Sequence, residues 1–144
     1  MSLVYKKLIG AFIIFALVPI PVWASSCTAT RSTDIPFEHD ETRLNSASIK
    51  ILDAYVISVS PLDINITVIC PVKSYREQNT VSDINAKRVD AVKKFLVTKG
   101  IPENKISTYL ECEVINFAEN NNMILVETFG NNRRCLETLL DNPP

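Results

Sequence analysis

Residues 79–102 decide the fold, and they read Asn79-Thr-Val-Ser-Asp-Ile-Asn-Ala-Lys-Arg-Val-Asp-Ala-Val-Lys-Lys-Phe-Leu-Val-Thr-Lys-Gly-Ile-Pro102. Apolar side chains recur here at intervals of three and four residues, which is the period of a helix with one buried face. They are Ile84, Ala91, Val92, Phe95 and Leu96. Ser82 is the expected N-cap, and Gly100 followed by Pro102 marks the end. The stretch therefore predicts an amphipathic helix of about four turns.

One cation interrupts the apolar face of this predicted helix. Arg88 lies four residues after Ile84 and three before Ala91, so we expect its side chain near the edge of the buried surface. A guanidinium group in that position either extends to water or binds an anion. Arg88 is therefore the first candidate for a binding residue.

Three elements are predicted before this helix. Residues 35–38 predict a short strand, and the proline within it favours the edge of a sheet. Residues 44–59 keep helical spacing, with Asn45 or Ser46 as the N-cap. Residues 64–70 alternate at first and then become continuously apolar, which is typical of a strand buried on both faces near its end.

The chain after the helix predicts further strands. Residues 105–112 alternate like a strand, residues 123–126 fit either a short helix or an extra strand, and residues 135–140 predict a last strand. The order is then strand, helix, strand, helix, strand, strand. This alternation indicates an α/β or α+β domain with both helices laid on one sheet.

The N-terminus has the three-part layout of a secretory signal peptide. Lys6 and Lys7 precede an uncharged run over residues 8–23, and small residues follow from Ala24. We assign residues 1–24 to a signal peptide and expect export to the periplasm. The apolar run is about 16 residues, shorter than the roughly 20 of a permanent span, and a retained anchor is the alternative.

Two processing routes compete at this site. Ordinary cleavage after Ala24 is one, and the other follows from residues 23–27, which resemble a loose lipobox with Cys27 as the acylated residue. Lipidation would attach the protein to the outer membrane. Residues 25–33 are then a flexible lead-in, and residues 34–141 form the domain.

Charge and cysteine usage narrow the functional classes. The net charge is −1 for the whole chain, and loss of two lysines on cleavage makes the exported chain slightly more acidic. This argues against nucleic acid or an anionic membrane as the main partner. Cys27, Cys70, Cys112 and Cys135 allow three disulfide pairings in an oxidising compartment.

Metal and catalytic chemistry find little support in the sequence. No Cys-x-x-Cys pair occurs and His39 is the single histidine, so we expect no metal site and no cofactor. Neither a paired-carboxylate nor a triad arrangement is visible, so we expect that the protein is not an enzyme.

Three segments carry a resemblance to a known family. They are residues 37–40, the loop and helix of residues 69–102, and residues 132–137. Residues 86–92 with residues 99–102 look like the family motif "ERRAxAV…KGI", and Asn132-Arg-Arg134 looks like the "NRR" that opens its final strand. In this order and spacing the chain resembles an OmpA-like domain, the peptidoglycan-associating module of Gram-negative envelopes. The resemblance implies a mixed four-stranded sheet with helices on one face, in which the last strand inserts antiparallel between the first and second.

The same resemblance implies a ligand site. The family binds the diaminopimelate of the peptidoglycan stem peptide through a loop aspartate, which takes the ammonium, and a helix arginine, which takes the carboxylate. Arg88 matches the arginine, but Lys73 stands where the aspartate should be and Val72 replaces a threonine. Glu77 and Asp83 are the expected replacements for the missing negative charge. Alternatively, Lys73, Arg76 and Arg88 form a cationic pocket for a carboxylate or an acidic partner segment.

The family topology also bears on the cysteines. It implies that Cys70, Cys112 and Cys135 gather at one end of the sheet, where a disulfide would brace the altered loop. The implied function is an exported envelope domain that associates non-covalently with peptidoglycan through a modified pocket. The alternative is a structural or assembly protein of the envelope or a secretion apparatus, which uses the fold to contact another protein.

Overall fold

The computed structural model describes residues 27–72, 83–110, 112 and 122–141. The elements are β1 (Thr28–Pro36), α1 (Ser46–Val59), β2 (Leu62–Pro71), α2 (Asp83–Thr98), a 3₁₀ turn (Glu103–Lys105), β3 (Ile106–Thr108), β4 (Met123–Asn132) and α3 (Arg133–Asp141). The four strands form one sheet in the spatial order β1-β4-β2-β3. β4 runs antiparallel to both neighbours, whereas β2 and β3 are parallel. The predicted mixed α+β sheet, with its last strand between the first and second, is confirmed.

The core lies between one face of the sheet and two helices. Alternate strand residues point toward α1, which packs over β1, and α2, which packs over β2. The side chains that fill this layer without measurable exposure are Ile35, Leu52, Ile69, Val92, Leu96, Ile124 and Val126. The prediction that both helices lie on one sheet is therefore confirmed for α1 and α2, while α3 lies outside this cluster.

The helix ends follow the capping residues in the sequence. Asn45 is the N-cap of α1, because its Oδ1 accepts a hydrogen bond from the Ser48 amide at 2.9 Å. α2 ends as predicted at Gly100, which has a φ of +94°. The Ile101 amide donates to the Leu96 carbonyl at 3.1 Å, which closes a Schellman motif. Ser82, the predicted N-cap of α2, lies outside the described residues.

The first strand is longer than the sequence predicted. β1 begins at Thr28, so most of the predicted lead-in is sheet. It pairs along its whole length with β4. β1 is an edge strand, as its proline indicated. Its first residues were not predicted as a strand because they are polar, and an edge strand with one solvated face tolerates Thr, Ser and Arg.

The last strand was predicted at the wrong place. Residues 123–132 form β4, so the extra-strand alternative for residues 123–126 is correct, whereas residues 135–140 belong to α3. Asn132 therefore ends the final strand instead of opening it. Gly130 lies within β4. A glycine is needed at this position because β2 and β4 approach closely here, and a Cβ would lie 2.6 Å from the Asp63 carbonyl oxygen.

Two disulfides join distant parts of the chain. Cys70 is linked to Cys112, and Cys27 is linked to Cys135. The expectation that Cys135 gathers with the other two was wrong, because it follows β4 and thus lies at the opposite end of the sheet from Cys70. The Cys27 sulfur, the predicted alternative site of lipidation, is used in its disulfide. Within the described part of the chain, no helix has the length and apolar character to cross a bilayer.

Candidate ligand site around Arg88

Arg88 lies in the second turn of α2 and is buried, with 2% of its surface exposed. Its Nε–H donates to the Glu41 carbonyl at 2.7 Å, and Nη2 donates to the Glu38 carbonyl at 2.8 Å. Nη1 donates to Asn122 Oδ1 at 3.1 Å. The Phe37 ring stacks against the cation, with its centroid 5.2 Å from Cζ. Arg88 therefore joins α2 to the connection between β1 and α1.

The connection forms a tight turn at this point. The Glu41 amide donates to the Glu38 carbonyl at 3.2 Å, and Asp40 between them has a φ of +60°. Asp adopts this left-handed conformation more readily than most residues. Because Arg88 binds the carbonyls at both ends of the turn, the Asp40 backbone is held close to the guanidinium group.

The electrostatics agree with this placement. Burial lowers the pKa of Arg88, and the negative charge of Asp40 acts in the opposite direction and raises it. The Asp40 carboxylate is mostly exposed and accepts a hydrogen bond at 2.8 Å from His39 Nδ1 when that nitrogen is protonated. The site thus combines one buried cation with one accessible carboxylate. Those two charges match the carboxylate and the ammonium of a zwitterion.

Asp40 was not predicted as a site residue, although it lies within residues 37–40, one of the segments that resemble the OmpA-like family. Asp83, which was expected to supply the negative charge, is exposed at the first residue of α2. It is five residues from Arg88, which places it about 140° away around the helix axis. Asp83 therefore does not share a helix face with Arg88.

The loop side of the site is only partly described. Val72 is buried, with its amide donating to the Met123 carbonyl at 3.0 Å, and it forms a bridge to Cys112. Its N–H is thus used within the sheet. Lys73 and Glu77 lie outside the described residues. The Cys70–Cys112 disulfide fixes the place from which this loop departs.

The described ranges contain no group of three His, Cys, Asp or Glu side chains that could hold a metal ion. Arg88, Asp40 and the turn carbonyls are instead a set of polar groups suited to a small charged ligand or a peptide segment. The chemistry that they offer is binding through charge-assisted hydrogen bonds.

The sheet order and the two helices on one face define an OmpA-like fold. The structure resembles the OmpA-like domain of FopA1 from Francisella tularensis, with 16% identity, a TM-score of 0.57, and 72% of this chain and 75% of that chain covered. It also resembles the C-terminal domain of Helicobacter pylori MotB, with 16% identity, a TM-score of 0.52, and 76% and 92% covered. A longer periplasmic piece of the same MotB matches at 14% identity and a TM-score of 0.53, with 81% and 86% covered. No protein-family model matches the sequence, and no curated protein does.

Proposed function

We propose that the protein is a non-catalytic, exported domain of the cell envelope that associates with the peptidoglycan stem peptide. The supporting observation is that the buried Arg88 guanidinium binds the two end carbonyls of the turn that carries the exposed Asp40 carboxylate, whose charge it senses. Residues 1–24 are its signal peptide. Ordinary cleavage after Ala24 fits the Cys27–Cys135 disulfide, whereas lipidation at Cys27 does not.

The proposed mechanism is a clamp on the two charges of diaminopimelate. Three of the five N–H groups of Arg88 donate to protein oxygens, and we infer that the other two donate to the ligand carboxylate. Asp40 takes the ligand ammonium, which is the role that the loop aspartate has in the OmpA-like family. Lys73 and Glu77 precede α2 in the sequence, and we infer that their charges adjust the affinity of this site.

A second candidate function is favoured by the burial of Arg88. With 2% exposure and three protein acceptors, its guanidinium serves the fold whether or not a ligand arrives. In that case the domain is a structural or assembly protein that contacts another envelope protein and does not bind the wall.

Co-sedimentation with peptidoglycan sacculi tests the proposal and separates the two functions. We expect the wild-type protein to pellet and Asp40→Asn to remain largely in the supernatant. Asp40 is exposed, so this variant should fold normally. Arg88→Lys should also lose binding, because a single ammonium cannot hold the turn and the ligand together.

The matched control is Val89→Ala, which removes buried volume beside Arg88 without changing a charge. It should pellet like the wild type. If wild type stays in the supernatant while Lys73→Asp gains binding, the protein-contact function replaces the wall-binding one. Equal pelleting of wild type and Asp40→Asn would remove Asp40 from the site.

A further inference from the structure

The C-terminal helix α3 carries two leucines that the domain leaves partly or mostly exposed. Leu136 and Leu140 are 36% and 81% exposed, and they lie one turn apart on the same side of the helix. Cys135 lies on a different side, where its disulfide to Cys27 ties the helix to the start of β1. Leu136 and Leu140 therefore face away from the disulfide that fixes the helix.

Backbone hydrogen bonds and a disulfide hold this helix in place. A helix of nine residues is too short to be stable by itself in water. Asn132 Oδ1 accepts a hydrogen bond from the Arg134 amide at 3.1 Å, and the Arg133 amide donates to the Pro61 carbonyl at 3.2 Å. Together with the disulfide, these bonds fix a helix on which Leu140 is mostly exposed and Leu136 is partly exposed. This arrangement is typical of a surface that another molecule covers.

The charges of α3 indicate what that molecule is. Arg133 and Arg134 begin the helix and Asp141 ends it, and all three are exposed. This order is the reverse of the one that the helix dipole favours, with anions at the start and cations at the end. A second α3 in antiparallel orientation places the acidic end of one helix against the basic end of the other. The two helix dipoles then also run in opposite directions.

We propose that α3 is a self-association surface, on which a second copy of this chain docks with the two helices antiparallel. Leu136 of one copy then packs on Leu140 of the other, and the reverse contact follows from the two-fold symmetry. The helix is about 13 Å long. It alone buries less than the roughly 800 Å² per partner of a stable interface, so the dimer is weak, with a Kd that is micromolar or higher.

Sedimentation equilibrium of the exported, fully oxidised protein tests the proposal. Between about 1 µM and about 1 mM protein, the mass should rise from one chain toward two. Leu140→Asp should raise the Kd of self-association at least about tenfold. The matched control is Leu110→Asp, because Leu110 is 68% exposed and follows β3 at the opposite end of the sheet. It should associate like the wild type.

Reversing the charges at the two ends of α3 tests whether the copies associate through antiparallel α3 helices. Arg133→Glu with Arg134→Glu should abolish self-association, and so should Asp141→Arg, because each variant brings like charges together at both ends. Mixing the two variants restores opposite charges at both ends, so a heterodimer should form. A protein that stays monomeric throughout overturns the proposal. Unchanged association of Leu140→Asp, or a mixture that does not associate, overturns it as well.

Discussion

Replacing Arg88 by Met tests whether the guanidinium group organises the turn between β1 and α1. Met keeps an unbranched side chain and removes every donor, so the Glu38 and Glu41 carbonyls and Asn122 Oδ1 each lose the hydrogen bond from Arg88. A hydrogen bond to a charged group contributes about 1.5–3 kcal/mol, but three bonds from one group are not additive. The variant also avoids the desolvation of a buried cation. We therefore expect a loss of about 2–4 kcal/mol in the free energy of unfolding.

The assay is equilibrium unfolding in urea of the oxidised protein, with the slope of the transition compared as well as its midpoint. Lys87→Met is the matched control, because Lys87 is the exposed neighbour of Arg88 on α2. Its unfolding free energy should change by no more than about 0.5 kcal/mol. If Arg88→Met also stays within about 1 kcal/mol of wild type, the three hydrogen bonds do not hold the turn and the account of the site is wrong.

Tyr55, Gly130 and Cys27 offer three smaller tests. Burial raises the pKa of Tyr55 to about 12 from 10.0, so the unfolded chain loses the phenol proton first as pH rises. The free energy of unfolding should be unaffected by this group below pH 10 and fall by about 1.4 kcal/mol per pH unit between pH 10.0 and about 12, a slope absent from Tyr55→Phe in urea titrations. Gly130→Ala should cost more than about 2 kcal/mol by thermal unfolding, because its Cβ meets the Asp63 carbonyl; an unchanged Tm would contradict this. Non-reducing peptide mapping should find Cys27 linked to Cys135, and an acylated Cys27 would contradict it.

The elements that the sequence predicted well are those with a buried face. α1, α2 and β2 each bury one stripe against the sheet or the helices, and their periodicity directly reflects this burial. Gly100 also fixed the end of α2, because its left-handed conformation suits glycine best. Periodicity and capping were sufficient here because local and tertiary preferences agree.

The elements that were missed have weak local patterns. β1 is polar because it lies at the sheet edge, and its pairing with β4 comes from a distant part of the chain. Residues 135–140 of α3 were predicted as the last strand, in line with the resemblance of Asn132-Arg-Arg134 to the motif that opens the family's final strand. Cys135 was consequently placed at the wrong end of the sheet. Disulfide partners depend on this topology, so the sequence left all three pairings open.

The candidate site was predicted only in part. Arg88 was identified from its position on the apolar face of a helix, and the structure confirms that position. Asp40 was missed because its proposed role depends on the turn from Glu38 to Glu41. Arg88 binds both ends of this turn, although it lies 50 and 47 positions further along the chain. The periodicity of apolar residues in the sequence does not indicate such a long-range contact.

The most direct test of the central proposal is calorimetric titration of the exported protein with a stem peptide. Two peptides that differ at one residue are compared, one with diaminopimelate and one with lysine, which keeps the ammonium but lacks the carboxylate. If Arg88 and Asp40 clamp both charges, the diaminopimelate peptide binds at least about tenfold more tightly. Equal affinity for the two peptides, or no binding of either, would contradict the clamp.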